Sequence, residues 1–225
     1  MNLKTFTLTL SSTRPIQGTS SELRGFFATQ FTEYSLLHQH SADKLIYRYP
    51  LVQYKMIDGT PMVIGINDGA EVLKQVYDKY DEIKLGEEVY EIVEKGISVR
   101  NQEFGMSDKF HTYEFSTPWL ALNQDNYLKY YGMKNYDETQ EFMRKTLIGN
   151  LLSMSKSLNY QVPHTIKCDV TVKIRKMRLK DVNVMAFIGG FTVNFIIPDY
   201  LGIGKSVSRG FGAVRRVYSN ENGGA

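Results

Sequence analysis

Gly202-Ile-Gly-Lys-Ser-Val-Ser-Arg-Gly-Phe-Gly212 puts four glycines into eleven residues, with Lys205 and Arg209 between them and Arg215 and Arg216 just beyond. Glycine has no Cβ, so it admits φ > 0 and lets a backbone come close to a ligand. Successive free N–H groups in such a loop form a concave anion site, to which the flanking cations add charge. A phosphate chain suits this pattern; a plain glycine-rich turn between strands is the competing reading. Two phosphate motifs that would impose an α/β fold fail. The P-loop needs a first glycine at 199, where Asp199 stands, and a helix after Ser206, where Gly210 and Gly212 follow. The dinucleotide motif fails at Val207, the place of its third glycine. Ala213–Tyr218 instead reads as a strand, so the loop joins two strands.

Working outward, Val182–Ile197 and Ile166–Met177 read as long strands, Asp137–Asn159 as a helix (apolar Phe142, Leu147, Leu151, Leu152 and Met154) and Phe110–Phe115 as a strand. Nearer the start, Leu3–Leu10 alternates as a strand with one buried face. Arg14–Gly18 breaks it, and Ser20 or Ser21 can cap a helix containing Leu23, Phe26, Phe27 and Phe31. After a loop at His38–Asp43, Lys44–Ile57 is strand-like, Asp58-Gly59 is a hairpin turn and Pro61–Ile66 returns. Ala70–Tyr80 has helical spacing and Glu87–Val99 alternates again. Strand, helix, strand, strand, helix, strand is the ferredoxin-like unit. The later elements read as a looser second copy. The expected architecture is therefore α+β, two tandem ferredoxin-like domains at 1–105 and 106–225 with a C-terminal glycine-rich loop, and a frayed tail at Ser219–Ala225.

The chain has 225 residues, and 27 Lys/Arg stand against 24 Asp/Glu. The charge is uneven, since residues 161–225 hold ten Lys/Arg against four Asp/Glu. That makes a basic C-terminal part and points to a polyanionic partner, with a solvated face as the bland reading. Within it, Lys173, Arg175, Lys176, Arg178 and Lys180 lie on one strand. Period two puts Lys173 and Arg175 on one face and Lys176, Arg178 and Lys180 on the other, and a bulge or strand end between 175 and 176 would keep all five on one side. Such a comb suits RNA phosphates; a soluble edge strand is the alternative. The single Cys168 excludes an internal disulfide framework and fits a reducing cytosol. Residues 182–198 are uncharged but interrupted by Asn183, Gly189, Gly190 and Asn194, which favours buried strand over membrane. A zinc at His38-Gln39-His40 would need a third ligand from Asp43, His111, His164 or Cys168, a count poorly met. His111 reads as a packed or paired strand residue, and His164 as a loop residue with a weak case for RNA contact.

Gly-Ile-Gly-(x)5-Gly-Phe-Gly after a long strand ending at Pro198 resembles the signature loop of the repeat-associated RNA-binding superfamily of CRISPR systems. A chain of this length ending soon after that loop resembles the CRISPR-associated repeat-cleaving endoribonucleases (Cas six). Arg24-Gly25-Phe26-Phe27 and the His-Gln-His before Tyr47-Arg48-Tyr49-Pro50 resemble the b-subtype. The resemblance implies tandem ferredoxin-like domains, binding of CRISPR repeat RNA, and metal-independent, cofactor-free cleavage leaving a 5′-hydroxyl and a 2′,3′-cyclic phosphate. It implies a catalytic histidine between the first helix and second strand, assisted by another His, a Tyr or a Lys; His38, His40 and Tyr47 match. A lysine that family members sometimes place on the first helix has no match in 23–33, where Gln30 is the substitute.

The chemistry asks for the same kinds of group. Cleavage by the RNA's own 2′-hydroxyl needs a base, an acid for the leaving 5′-oxygen, and charge against the phosphorane. Imidazole serves as either acid or base near neutral pH, which makes His40 and His38 the candidates, while Tyr47 can donate to a phosphate oxygen or orient a ring. The RNA-binding candidates are Gly202, Gly204, Lys205, Arg209, Gly210 and Gly212 of the loop, with Lys173, Arg175 and Arg178 of the strand. Candidate partners are CRISPR repeat RNA, a CRISPR effector complex and a second copy of the chain, with no membrane. A non-catalytic RNA-binding subunit of the same fold, and a phosphate- or nucleotide-binding module, remain the rival readings.

Overall fold

Alternation of Phe6, Leu8 and Leu10 with threonines makes β1 (Asn2–Ser12) a strand with one strongly apolar face. Next comes α1 (Ser20–Gln30), capped by Thr19 rather than Ser20 or Ser21: Thr19 Oγ1 accepts from Glu22 N while the Glu22 carboxylate accepts from Thr19 N, a capping box. The single turn α2 (Ser35–His38) and the two-residue strands β2 (His40–Ser41) and β3 (Lys44–Leu45) follow. Asp58 and Gly59, at φ 49° and 81°, form the two-residue hairpin between β4 (Val52–Ile57) and β5 (Thr60–Ile66). The strand expected from Lys44 thus enters the sheet only at Val52. Pro50 has no N–H for a ladder, and Tyr49 is turned away to bond the glycine loop. Then come α3 (Asp68–Val76), β6 (Glu82–Leu85) and β7 (Glu88–Glu103). The sheet order β4-β5-β1-β7-β6 is ferredoxin-like, with β6 added at the edge through a turn at Gly86.

The second unit comprises β8 (Gly105–Phe115), α4 (Gln124–Gly132), α5 (Tyr136–Ser157), β9 (Cys168–Leu179), β10 (Val182–Ile196) and β11 (Val214–Val217). Its antiparallel order, β11-β8-β10-β9, is the ferredoxin order again. The chain is α+β, two such units in tandem. Where the first unit has α3, the second has the loop 197–213, holding only a 3-10 turn at Val207–Arg209. The computed structural model describes residues 1–38, 40–41, 44–45, 48–179 and 182–218, with backbone alone at 40–41, 44–45, 178–179 and 182. The tail at 219–225 lies outside the described residues.

Two cores result. Phe6, Leu8, Val63, Leu23, Phe27 and Leu73 pack between the first sheet and its helices. Leu3, Met62, Ile64 and Ile66, on the other face of that sheet, join Trp119, Leu147, Phe187 and Val214 of the second unit. The two units therefore share a core. No described helix is long and apolar enough to cross a membrane, and residues 182–196 are β10.

Candidate functional site

The glycine loop is shaped by close packing against the first unit. Gly212 sits at φ +66°, where a Cβ would lie 2.0 Å from the Ile203 carbonyl oxygen. Gly210, at φ +93°, would bring a Cβ to 2.2 Å from Ser20 Oγ on α1 and 3.2 Å from the Tyr54 carbonyl on β4. Any side chain there would push the two units apart. The N–H groups of Gly202, Gly210 and Gly212 bond Gln53 Oε1 (2.9 Å), Val207 O (3.2 Å) and Pro118 O (2.9 Å). The anion cradle of free amides that the sequence suggests is not built from these three. Gly204, at φ +92°, lies against the Trp119 indole.

Three polar side chains of the first unit pin the loop. The partly buried Tyr49 donates its hydroxyl to Gly202 O (2.8 Å), and Gln53 holds the Gly202 N–H. Lys55, 0% exposed, donates from Nζ to Gln53 Oε1 (3.0 Å) and Val207 O (3.3 Å). Burial pulls its pKa down to about 7. A neutral amine carries two N–H groups, and two acceptors meet them.

Between the loop and α1 lies a groove of about 660 Å³, with Arg24, Arg209, Ser20, Met56 and Met177 among its walls. Arg24 and Arg209 are near enough that, after burial, Arg209 is the next cause lowering the Arg24 pKa. Among the described residues neither arginine has a carboxylate within ion-pair distance, and the buried Nε of Arg24 has no hydrogen-bond partner. Glu22, at the rim, is engaged in its capping box. Two like charges and an unsatisfied guanidinium N–H in one groove fit an anion. Arg24 Nη2 also donates to His38 O, so the end of α2 is fastened to this groove. Leu37 is buried and its carbonyl accepts from Tyr54 (3.2 Å), which anchors the turn from β4.

His38 closes α2, with Nε2 3.1 Å from the Thr32 carbonyl. The backbone of His40 lies in β2, and its side chain is outside the described residues, as is all of Tyr47. Gln30 ends α1 on a different groove, with Thr29, Lys79 and Lys84. Lys205 is exposed on the other stretch of the glycine loop, with its N–H bonded to Leu120 O (2.9 Å).

The basic strand has no bulge. β9 and β10 pair in unbroken register from Leu179↔Val182 to Cys168↔Val193. Lys173 and Arg175 therefore point to one face, and Lys176 and the backbone position of Arg178 belong to the other. The expected single comb is corrected for a physical reason. This end of β9 runs past the core with both faces in water (Ile174 is 47% exposed), so neither face had to be kept apolar. Of the other histidines, buried His111 accepts from Arg216 at Nδ1 (2.7 Å) and meets Ser107 Oγ with Nε2 (2.9 Å). Burial, then Arg216, lowers its pKa, which keeps the ring neutral as a strand-pairing group. His164 is exposed in the 161–167 loop. Burial raises the Cys168 thiol to about 11. No cluster of metal-ligating side chains occurs among the described residues. Sequence reasoning passed over Arg24 and Lys55 as site residues. The available signal was a charge set among apolar neighbours, Leu23 and Phe27 for one and Tyr54 and Met56 for the other.

Residues 1–103 match the family model for the Cas6b N-terminal domain, and residues 105–217 that for the Cas6b C-terminal domain. An uncharacterized protein of Methanocaldococcus jannaschii is 43% identical over 139 residues, 60% of this chain and 92% of that protein. A crystal structure of Cas6b is 36% identical with a TM-score of 0.88, covering 96% of this chain and 100% of that one. A crystal structure of the CRISPR RNA processing endoribonuclease Cas6b is 35% identical with a TM-score of 0.77 over the same shares. Thermus thermophilus Cas6, 10% identical with a TM-score of 0.56 over 96% and 98% of the two chains, shares the fold alone. Matched in both halves by its domain models, the chain belongs to the Cas6b family.

Proposed function

We propose that the protein is an endoribonuclease that processes CRISPR RNA by cutting within the repeat, through attack of a 2′-hydroxyl on the adjacent phosphate. The observation that carries this reading is the pair Arg24 and Arg209, without carboxylate partners among the described residues, in a groove fastened to the loop of His38. A phosphate seated there meets two guanidiniums, which stabilise the charge that accumulates on the phosphorane. His40 and His38 supply the proton transfers: one takes the 2′-hydroxyl proton and the other protonates the leaving 5′-oxygen. Tyr47 assists. The products are a 5′-hydroxyl and a 2′,3′-cyclic phosphate, and no metal takes part in the step. Membership of the Cas6b family and the 35% identity to a CRISPR RNA processing endoribonuclease support the substrate class.

Incubation with repeat RNA in EDTA tests the reading. Cleavage is expected, with a 2′-deoxy nucleotide at the cut abolishing it. Activity lost on chelation and restored by zinc overturns the metal-free chemistry. RNA that is bound but never cut leaves a non-catalytic RNA-binding subunit instead.

A further inference from the structure

The glycine loop borders two grooves. Arg209 faces the one beside α1, and Lys205 borders another, built on α5. This second groove has two confluent parts. One, about 520 Å³, lies between Arg48, α5 and Gly204–Ser208 of the loop. The other, about 350 Å³, lies between the start of α4 (Asn123, Asn126) and Lys145 and Gly149 of α5. Asn150 and Lys205 line both parts. From Lys145 to Ser157 the α5 wall runs roughly 18 Å, at 1.5 Å per residue.

Two observations identify what fits there. The first is charge. Arg48, Lys145 and Lys205 line the groove and no Asp or Glu does, in a chain with 24 of them. Lys145 has Glu141 at 3.4 Å, outside the lining. The polar remainder is hydroxyl and amide. Asn150 is oriented by Trp119 Nε1, which donates to its Oδ1 (3.1 Å), so its NH2 is left for the groove. The second is Gly149. Glycine is the poorest helix former after proline, yet it stands in the middle of a 22-residue helix. A Cβ built there meets nothing within 4 Å, whereas at Gly65 or Gly212 one would collide with backbone at 2.4 or 2.0 Å. Packing explains those two glycines and leaves Gly149 without a protein partner. A missing side chain on a cationic wall gives room for a backbone that carries its own charge.

We infer that a single-stranded segment of the RNA substrate, away from the scissile phosphate, lies along α5 between Arg48, Lys145 and Lys205 and passes over Gly149. This rests on the RNA-processing reading. Because Lys205 and Arg209 flank one loop, a strand leaving the first groove continues into the second.

The test compares affinities for full-length repeat RNA and for RNA trimmed to the nucleotides around the cut. In the wild type, the longer RNA binds tighter. Gly149→Leu, a good helix former whose side chain fills the groove, is expected to erase that gain, a loss of about three- to tenfold as for one or two phosphate contacts. Lys145→Gln with Lys205→Gln should lower the salt slope on the long RNA by about 1.4, at 0.7 per contact on a single strand. Gly149→Ala should raise the thermal midpoint while weakening binding of the long RNA, a combination that misfolding cannot produce. If Gly149→Leu and Gly149→Ala keep the wild-type length dependence, the inference is overturned while the functional reading stands. The same holds if an acidic protein, rather than RNA, competes for this groove. If wild-type protein binds no repeat RNA of either length, the functional reading itself fails and the inference with it.

Discussion

The two units share a strand order and differ in their second crossover. In the first, α3 returns from β5 towards β7, and its Ala70, Leu73 and Val76 fill the unit's own core. In the second, residues 197–213 return from β10 to β11 with one 3-10 turn, and they pack on β4 and α1 of the neighbouring unit. One crossover stabilises its own unit. The other welds two units together and carries Arg209 into a groove that neither unit forms alone. A helix offers its partner a face of side chains; the loop offers backbone, at a distance only glycine permits. With a loop in place of the second helix, this end of the sheet presents the Arg209 groove that the proposed function uses.

If that division of labour holds, chemistry and binding should separate by mutation. The largest effect expected is His40→Ala, a fall in cleavage of roughly 10²–10⁴-fold, the worth of one positioned proton-transfer group. RNA affinity measured by titration should stay close to wild type, and His38→Ala should cost less. Full cleavage by the His38→Ala/His40→Ala double variant would break the comparison at its functional end. Next comes Gly212→Val, which forces a Cβ into the Ile203 carbonyl and should cost more than about 3 kcal/mol in denaturant unfolding. Because the loop and the shared core both join the units, both should melt in one transition; two separate transitions would show that neither couples them.

A gentler probe is pH. The Lys55 amine is lowered from 10.5 to about 7 in the folded protein, so between those values the unfolded chain binds the extra proton. Stability should therefore rise with pH above 7, by at most about 1.4 kcal/mol per unit. Cys168, raised from 9.0 to about 11, acts in the opposite sense above pH 9, so pH 7 to 8.5 is the clean window. Lys55→Met, followed by urea unfolding across that window, should flatten the rise; an unchanged slope would mean the amine is not held neutral. The smallest effect belongs to the ribbon. Lys173→Glu and Arg175→Glu should each lower the salt slope of RNA binding by about 0.7, alike for all sequences, as phosphate contacts do.

The fold was legible where each local signal had one reading. Asp58-Gly59 between two apolar runs, and Thr-alternating β1, left little choice. Several short elements went unread, two of them for identifiable reasons. β6 alternates but over only four residues, too short to separate from a loop, and α4 buries none of its own residues, so it has no apolar face to detect. The site was half legible. Glycine spacing marks a loop of unusual backbone, but sequence cannot say whether its amides face a ligand or the protein's own carbonyls. Here Gly202, Gly210 and Gly212 face the protein. Arg24 and Arg209 are 185 positions apart, and only the fold makes them neighbours. The resemblance supplied the histidines, whose roles rest on the proposed chemistry.

The face formed by Leu3, Met62, Ile64 and Ile66 has a consequence for how the protein is made. These residues share a core with Trp119, Phe187 and Val214, all of which are synthesised after the first unit is complete. From Glu103, where the first unit is complete, to Val214 translation takes roughly 6–22 s at the usual rate. Throughout that interval the nascent first unit can fold one side of its sheet against α1 and α3 while the other side stays apolar and open. That surface is open to association during synthesis, and truncation before β11 should yield an aggregating chain rather than a free-standing first unit.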